Sequence, residues 1–170
     1  MKLQLIRAQQ AIAEEKRKDK VTIEHKTPIT YIGNKKYTLV FPKFLLDYTK
    51  NKSIELLFIG KITKQRKKFL NQFPTADVRH TLRGRNLKTK EKDEEYFKLM
   101  SKAKFVLCPN GDFVWTYRFF ESIIFEAIPI IEDCCSIYKG YKFYTKSDNL
   151  VYDQKIIRHN LTKLKNEMML

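Results

Sequence analysis

The sequence predicts an α/β fold in which a parallel sheet is flanked by helices. Three apolar runs carry that expectation. Leu56-Leu57-Phe58-Ile59-Gly60 ends in glycine, Phe105-Val106-Leu107 ends in the turn Pro109-Asn110-Gly111-Asp112, and Ile128-Pro129-Ile130-Ile131 follows a helical segment. Short apolar runs bounded by turn residues read as buried strands. Strands that alternate with helical periodicity imply parallel pairing through right-handed crossovers.

The elements follow in order. Leu3 to Lys18 is a weakly amphipathic helix candidate, and Val21–His25 and Ile29–Ile32 are short strand candidates. Gly33-Asn34 is expected to turn the chain back through Tyr37 to Phe41, with Pro42 ending that strand. None of residues 1 to 50 carries a chemical motif, so this part is expected to be a short N-terminal appendage. From Glu55 the α/β pattern begins. The strand ending at Gly60 feeds a basic helix from about Lys64 to Phe73, which Pro74 stops. Ala76 to His80 is a weak strand, and Thr81 to Lys92 a basic loop. A helix from Asp93 to Ala103 presents Tyr96, Met100 and Ala103 on one face.

The stretch from Lys104 to Asp133 holds the most chemistry. After the Phe105 strand and its turn, a helix from about Val114 to Ala127 aligns Phe119, Phe120, Ile123, Ile124 and Ala127 on one face, with Arg118, Glu121 and Phe125 on the other. A turn that enters a helix N-terminus presents backbone N–H groups and a positive dipole end, which suits an anion. Beyond the Ile128 strand, Tyr141–Tyr144 is a further strand candidate. Asp153 to about Met168 is a closing helix with Ile156, Ile157, Leu161 and Leu164 on its apolar face.

Composition bounds the reading less tightly. The chain of 170 residues is 43% hydrophobic and 31% charged, enough for one soluble domain with its own core. It has no apolar run of eighteen residues and no signal-peptide pattern at its start. Cys108, Cys134 and Cys135 lack ligand spacing and are read as reduced, buried or half-buried thiols in a cytoplasmic setting. His25, His80 and His159 are isolated and read as structural. The net charge of +15 fits a solvated basic surface, and it also fits nucleic acid, an anionic membrane surface with peripheral attachment, or a diphosphate ligand. Its densest clusters are Lys61 to Lys68 and Arg79 to Arg85.

The segment SKAKFVLCPNGDFVWTYRFFESIIFEAIPII resembles the donor-sugar motif of exostosin-like glycosyltransferases. Ser101 to Leu107 matches its first strand, Pro109-Asn110-Gly111 its turn, Arg118-Phe119-Phe120-Glu121 its Arg-x-x-Glu helix start, and Ala127 to Ile131 its second strand. The family usually has glycine where this chain has Glu126. A looser likeness runs from about Glu55 to Asp153. The resemblance implies a GT-B architecture, with residues 51–170 as its Rossmann-like nucleotide-sugar-binding domain and residues 1–50 as an appendage or a reduced acceptor-side segment. It implies an inverting transferase that moves a sugar from a nucleoside diphosphate, UDP- or GDP-linked, to the hydroxyl of a carbohydrate or glycoconjugate acceptor. It implies metal-independent chemistry with no separate cofactor, and a partner domain, partner chain or second copy to complete the cleft, since two domains need roughly twice this length.

Residue by residue, Arg118 would fork onto phosphate oxygens, or alternatively pair with Glu121 on a solvated face. Glu121 would accept the ribose hydroxyls. Asn110, Gly111 and Asp112 would form the turn against the ligand. Thr116 would cap the helix or bond a phosphate. Trp115 and Tyr117 would border the sugar or join the core. Lys61 and Arg66, in the first strand-to-helix loop, would add charge to the diphosphate or belong to a solvated basic face. Glu14, Glu15 and Glu24 are not marked as a general base by anything around them. Against the transferase stand two other readings, a basic nucleic-acid-binding module on an α/β scaffold and an inactive transferase remnant.

Overall fold

The computed structural model describes residues 31–34, 40–81, 94–111 and 114–169. The expected helix at Leu3–Lys18, the strand at Val21–His25, the residues Glu14, Glu15, Glu24, His25 and Asp112, and most of the Thr81–Lys92 loop lie outside them.

Four parallel strands form the main sheet: β3 (Ile54–Gly60), β4 (Asp77–His80), β5 (Ala103–Cys108) and β6 (Ile128–Ile131). Their order is β4-β3-β5-β6. The helices are α1 (Lys64–Leu70), α2 (Glu94–Lys102), α3 (Tyr117–Ile124) and α4 (Gln154–Glu167). This is the expected α/β, Rossmann-like arrangement, and β3, β5 and β6 are buried on both faces, while β4 at the edge is largely exposed. Leu56, Phe58, Phe105, Leu107, Ile128 and Ile130 point to one side, where Phe69, Leu70 and Phe73 of the α1 region and Ile157 of α4 cover them. Leu57, Ile59, Val106, Cys108 and Ile131 point to the other, against α2 and α3. The two-residue alternation of side chains accounts for this sorting, and burial on both faces accounts for the unbroken apolar runs.

A smaller antiparallel sheet joins β1 (Tyr31–Asn34), β2 (Val40–Pro42) and β7 (Met168–Met169) in the order β2-β1-β7. It corrects two expectations. Gly33 and Asn34 are strand residues rather than the turn, with Gly33 opposite both Val40 and Met169. Their turn preference is local, whereas the register is set by tertiary contacts such as Phe41. That ring is fully buried and lies edge-on to Tyr117 at 5.6 Å and near Phe120 at 6.2 Å. The chain after α4 forms β7, which has no periodicity of its own and exists only because β1 offers an edge.

Two further expectations change. Tyr141–Tyr144 makes one bridge, Ile130 to Tyr144, instead of a strand. The buried Asn160 side chain takes both backbone groups of Lys142, its Oδ1 accepting from the amide at 2.8 Å and its Nδ2 donating to the carbonyl at 2.7 Å. Those groups are then unavailable to a ladder. Helix α3 is also buried all round, from Arg118 to Ile124, so Arg118, Glu121 and the adjoining Phe125 do not form a solvated face.

Chain order positions the site. The first strand of the sheet, β3, is central; β4 lies on one side of it, and the chain then crosses to place β5 on the other. The connections therefore diverge between β3 and β5. In open α/β sheets that switch point, outside the carboxyl ends of the strands, is where a crevice forms.

Candidate functional site

Two loops leave the switch point. One runs from Gly60 to Thr63 into α1, and the other from Pro109 to Thr116 into α3. Arg118, on the first turn of α3, reaches back across them. Its Nε donates to the Ile59 carbonyl at 3.0 Å, and its guanidinium lies 4.8 Å from the centre of the Phe58 ring. The approach depends on Gly60, whose φ is +154°; a Cβ there would stand 2.3 Å from Arg118 Nη2. Arg118 is 8% exposed, and its Nη1 is buried with no hydrogen-bond partner. A solvated pair with Glu121 is therefore not what the helix presents.

Arg66 ties the two loops together. Its Nη1 donates to the Lys61 carbonyl at 2.8 Å and its Nε to the Asn110 carbonyl at 3.1 Å. Gly111 leaves room for this, since a Cβ on it would stand 2.7 Å from Arg66 Nη2. The Lys61 side chain is exposed, as are those of Lys64, Lys67 and Lys68. In the second basic cluster Arg79 forms a two-pronged ion pair with Asp77, at 2.7 and 3.1 Å. The two basic clusters are thus not uniform in space. Arg66 turns inward and Arg79 is neutralised locally, while Arg83 and Arg85 lie outside the described residues.

Asn110 is held from a third loop that the sequence reading did not mark. Its backbone amide donates to Glu132 Oε2 at 3.0 Å, and its side-chain Nδ2 donates to Asp133 Oδ2 at 2.6 Å. Glu132 and Asp133 directly follow β6, at the same edge of the sheet. An acidic pair just beyond a buried strand was the available signal. Thr116 stands at the N-cap position of α3 with extended backbone but makes no side-chain cap bond. Its amide donates instead to the Tyr138 hydroxyl at 2.9 Å. Tyr138 stacks on Phe119 at 3.8 Å, and burial pushes its phenol well above the usual range, so it stays a neutral hydroxyl. Trp115 and Tyr117 belong to the core or its margin, with ring centres 5.5 Å apart.

Glu121 is 1% exposed and accepts a 2.6 Å hydrogen bond from the Tyr96 phenol on α2. Beside it, burial raises the Cys108 thiol to about 12, with the nearby Arg118 acting in the opposite direction. Cys135 is half-buried, but Cys134 is exposed, contrary to expectation, because it lies in the loop beyond β6. His80 Nδ1 accepts from the Ile62 amide at 3.3 Å, and His159 Nε2 donates to the Gly140 carbonyl at 2.8 Å, both structural uses. Among the described residues no three acidic, histidine or cysteine side chains gather as a metal site, and no helix is long and apolar enough to cross a membrane.

One feature sets this edge of the sheet apart. Among the described residues, four buried side-chain polar atoms lack a partner: Asn110 Oδ1, Trp115 Nε1, Thr116 Oγ1 and Arg118 Nη1. All four belong to the nine-residue loop and helix start after β5. Each such atom costs about 1–3 kcal/mol unless something outside the protein fills it. Three of them can donate and one only accepts, a set that matches a ligand carrying both anionic oxygens and hydroxyl groups.

The family model of the Exostosin GT47 domain matches residues 24–150, well over half of the chain. The comparison with curated proteins finds no match.

Proposed function

The chain belongs to the exostosin GT47 family of glycosyltransferases, and on that premise we propose that it binds a nucleotide-diphosphate sugar at the carboxyl ends of β3 and β5, as the donor side of sugar transfer to an acceptor hydroxyl. The observation that carries the proposal is the buried, incompletely bonded guanidinium of Arg118, which shares one loop with three other unpartnered polar atoms. A buried cation is costly without a counter-charge, and a diphosphate supplies one together with acceptors for Nη1.

The roles follow from position. Arg118 bonds a phosphate oxygen, and the exposed Lys61 adds a second charge from the facing loop. Arg66 fixes the two loops relative to each other and lends its own charge. Gly111 makes the room in which Arg66 lies. The first turn of α3, with Thr116 at its cap, adds a positive dipole end. Glu121 accepts ribose hydroxyls, and Tyr96 orients the carboxylate for that task. During transfer these cations stabilise the departing diphosphate, and the general base comes from the acceptor side of the cleft.

A thermal-shift panel of UDP-, GDP- and ADP-sugars tests the reading. A donor at one hundred times its dissociation constant adds about 2.7 kcal/mol of stability, and Arg118→Ala removes that gain. No shift with any nucleotide sugar, or an undiminished shift in Arg118→Ala, refutes it.

A further inference from the structure

We infer that Asn110 is a specificity-determining residue which reads a hydroxyl hydrogen on the sugar of the bound donor, and that Asp133 sets it for that role by fixing the orientation of its amide. The inference rests on the nucleotide-sugar reading above and adds to it the group recognised and the device that recognises it.

An asparagine amide has a donating end and an accepting end, and either can face a ligand. A carboxylate only accepts. Asp133 Oδ2 lies 2.6 Å from the Asn110 side chain, so the end turned toward it is the NH2 group. The other end, Oδ1, is then committed as an acceptor. It is buried without a partner in a residue only 7% exposed. The backbone on either side is fixed as well: the Asn110 amide donates to Glu132 Oε2, and its carbonyl accepts from Arg66 Nε. The residue is thus held through its amide, its carbonyl and its side chain, by Glu132, Arg66 and Asp133. What remains is one acceptor atom of fixed direction.

A phosphate oxygen at working pH offers no hydrogen to that atom, and the adjacent cations already suit the phosphates. A sugar hydroxyl does offer one. Trp115 Nε1, another unpartnered buried atom of the same loop, is a donor only and can meet a hydroxyl oxygen. This stretch of chain therefore carries both an acceptor and a donor, as a hydroxyl-bearing ring requires, along with Arg118. Such sites reject analogues that lack the hydroxyl more sharply than apolar pockets reject a changed methylene, because a buried group is left unpaired.

The experiment measures the affinity of the best nucleotide sugar from the panel, of its free nucleoside diphosphate, and of analogues in which each sugar hydroxyl in turn is replaced by fluorine. Fluorine preserves size but cannot donate. The wild-type chain is expected to bind one fluorinated analogue about tenfold or more less tightly than the parent, the effect of one buried hydrogen bond, and Asn110→Ala is expected to bind that analogue and the parent equally well. Asp133→Asn lets the amide of Asn110 turn over, so discrimination against that analogue falls to near unity while binding of the free diphosphate persists. Circular dichroism and melting of both variants establish that they are folded. Equal weakening of diphosphate and nucleotide sugar in Asn110→Ala, no discriminated analogue, or discrimination that survives Asp133→Asn overturns the inference and leaves diphosphate binding intact. Failure of the wild-type chain to bind any nucleotide is the separate result that removes the donor reading and this one with it.

Discussion

Substituting alanine for Gly60 tests the architecture of the site at its tightest point. The added Cβ would stand 2.3 Å from Arg118 Nη2 and 3.4 Å from its Cζ. The guanidinium must move, and it has little freedom, being 8% exposed, bonded to Ile59 and set against Phe58. Losing a hydrogen bond from a charged donor costs about 1.5–3 kcal/mol. The contact with Phe58 is worth about 0.5–2 kcal/mol. The backbone at φ +154° adds about 1–3 kcal/mol of strain for any residue with a Cβ. These contributions overlap, and we expect a total near ~3 kcal/mol. Equilibrium urea denaturation reads this as a fall of about 1.5 M in midpoint for a slope near ~2 kcal/mol per molar. The decisive measurement is the double-mutant cycle with Arg118→Ala, in which the clash has no partner. Gly60→Ala should then cost only its backbone part, giving a coupling of about 1–2 kcal/mol. Additive costs within about 0.5 kcal/mol would refute the view that Gly60 exists to admit Arg118.

Three other outcomes follow from the fold. Glu126 has φ +58° at the C-terminal end of α3, where glycine is the usual helix terminator; Glu126→Gly should stabilise the protein by about 0.5–1 kcal/mol, raising its melting temperature, net of lost attraction to Lys52. Lys52 donates to the carbonyls of Ser101, Ala103 and Phe125, and burial lowers its ammonium to about 8, with Glu126 opposing. Between that value and the unfolded 10.5 the unfolded chain binds more protons, so wild-type stability should rise with pH relative to Lys52→Met across this window and lose that contribution as pH falls through 8, as parallel urea titrations would show. Alkylation at pH 8 followed by peptide mass mapping should modify exposed Cys134 readily and buried Cys108 only after unfolding, because burial raises the Cys108 thiol to about 12.

The position of Glu126 also explains why a departure from the family pattern is tolerated. It lies at the end of α3 opposite Arg118, away from the carboxyl edge of the sheet, and its carbonyl accepts from the Tyr152 hydroxyl at 2.8 Å. A residue with a Cβ therefore costs stability at this point without touching the site.

Much of the sheet was legible in the residues. The runs ending at Gly60, Leu107 and Ile131 became β3, β5 and β6, because a strand buried on both faces must be apolar throughout. The Arg-x-x-Glu spacing marked the first turns of α3. What was not legible depended on remote partners. Met168–Met169 became a strand through β1, and Tyr141–Tyr144 lost its ladder to Asn160. Arg118 and Glu121, assigned by helical period to the side away from the core, are buried because α2 and β3 close over them.

The sequence by itself determined which segments alternate between strand and helix, and that a glycine turn precedes an arginine and a glutamate, since turn chemistry and side-chain period are properties of neighbours along the chain. Only the tertiary structure decided that Arg118 meets Ile59 and Gly60 nearly sixty residues away, that Arg66 locks two loops together, and that Asp133 turns the amide of Asn110. Those contacts arise where parallel strands end side by side, and which strands do so is fixed by how the whole chain buries its apolar faces.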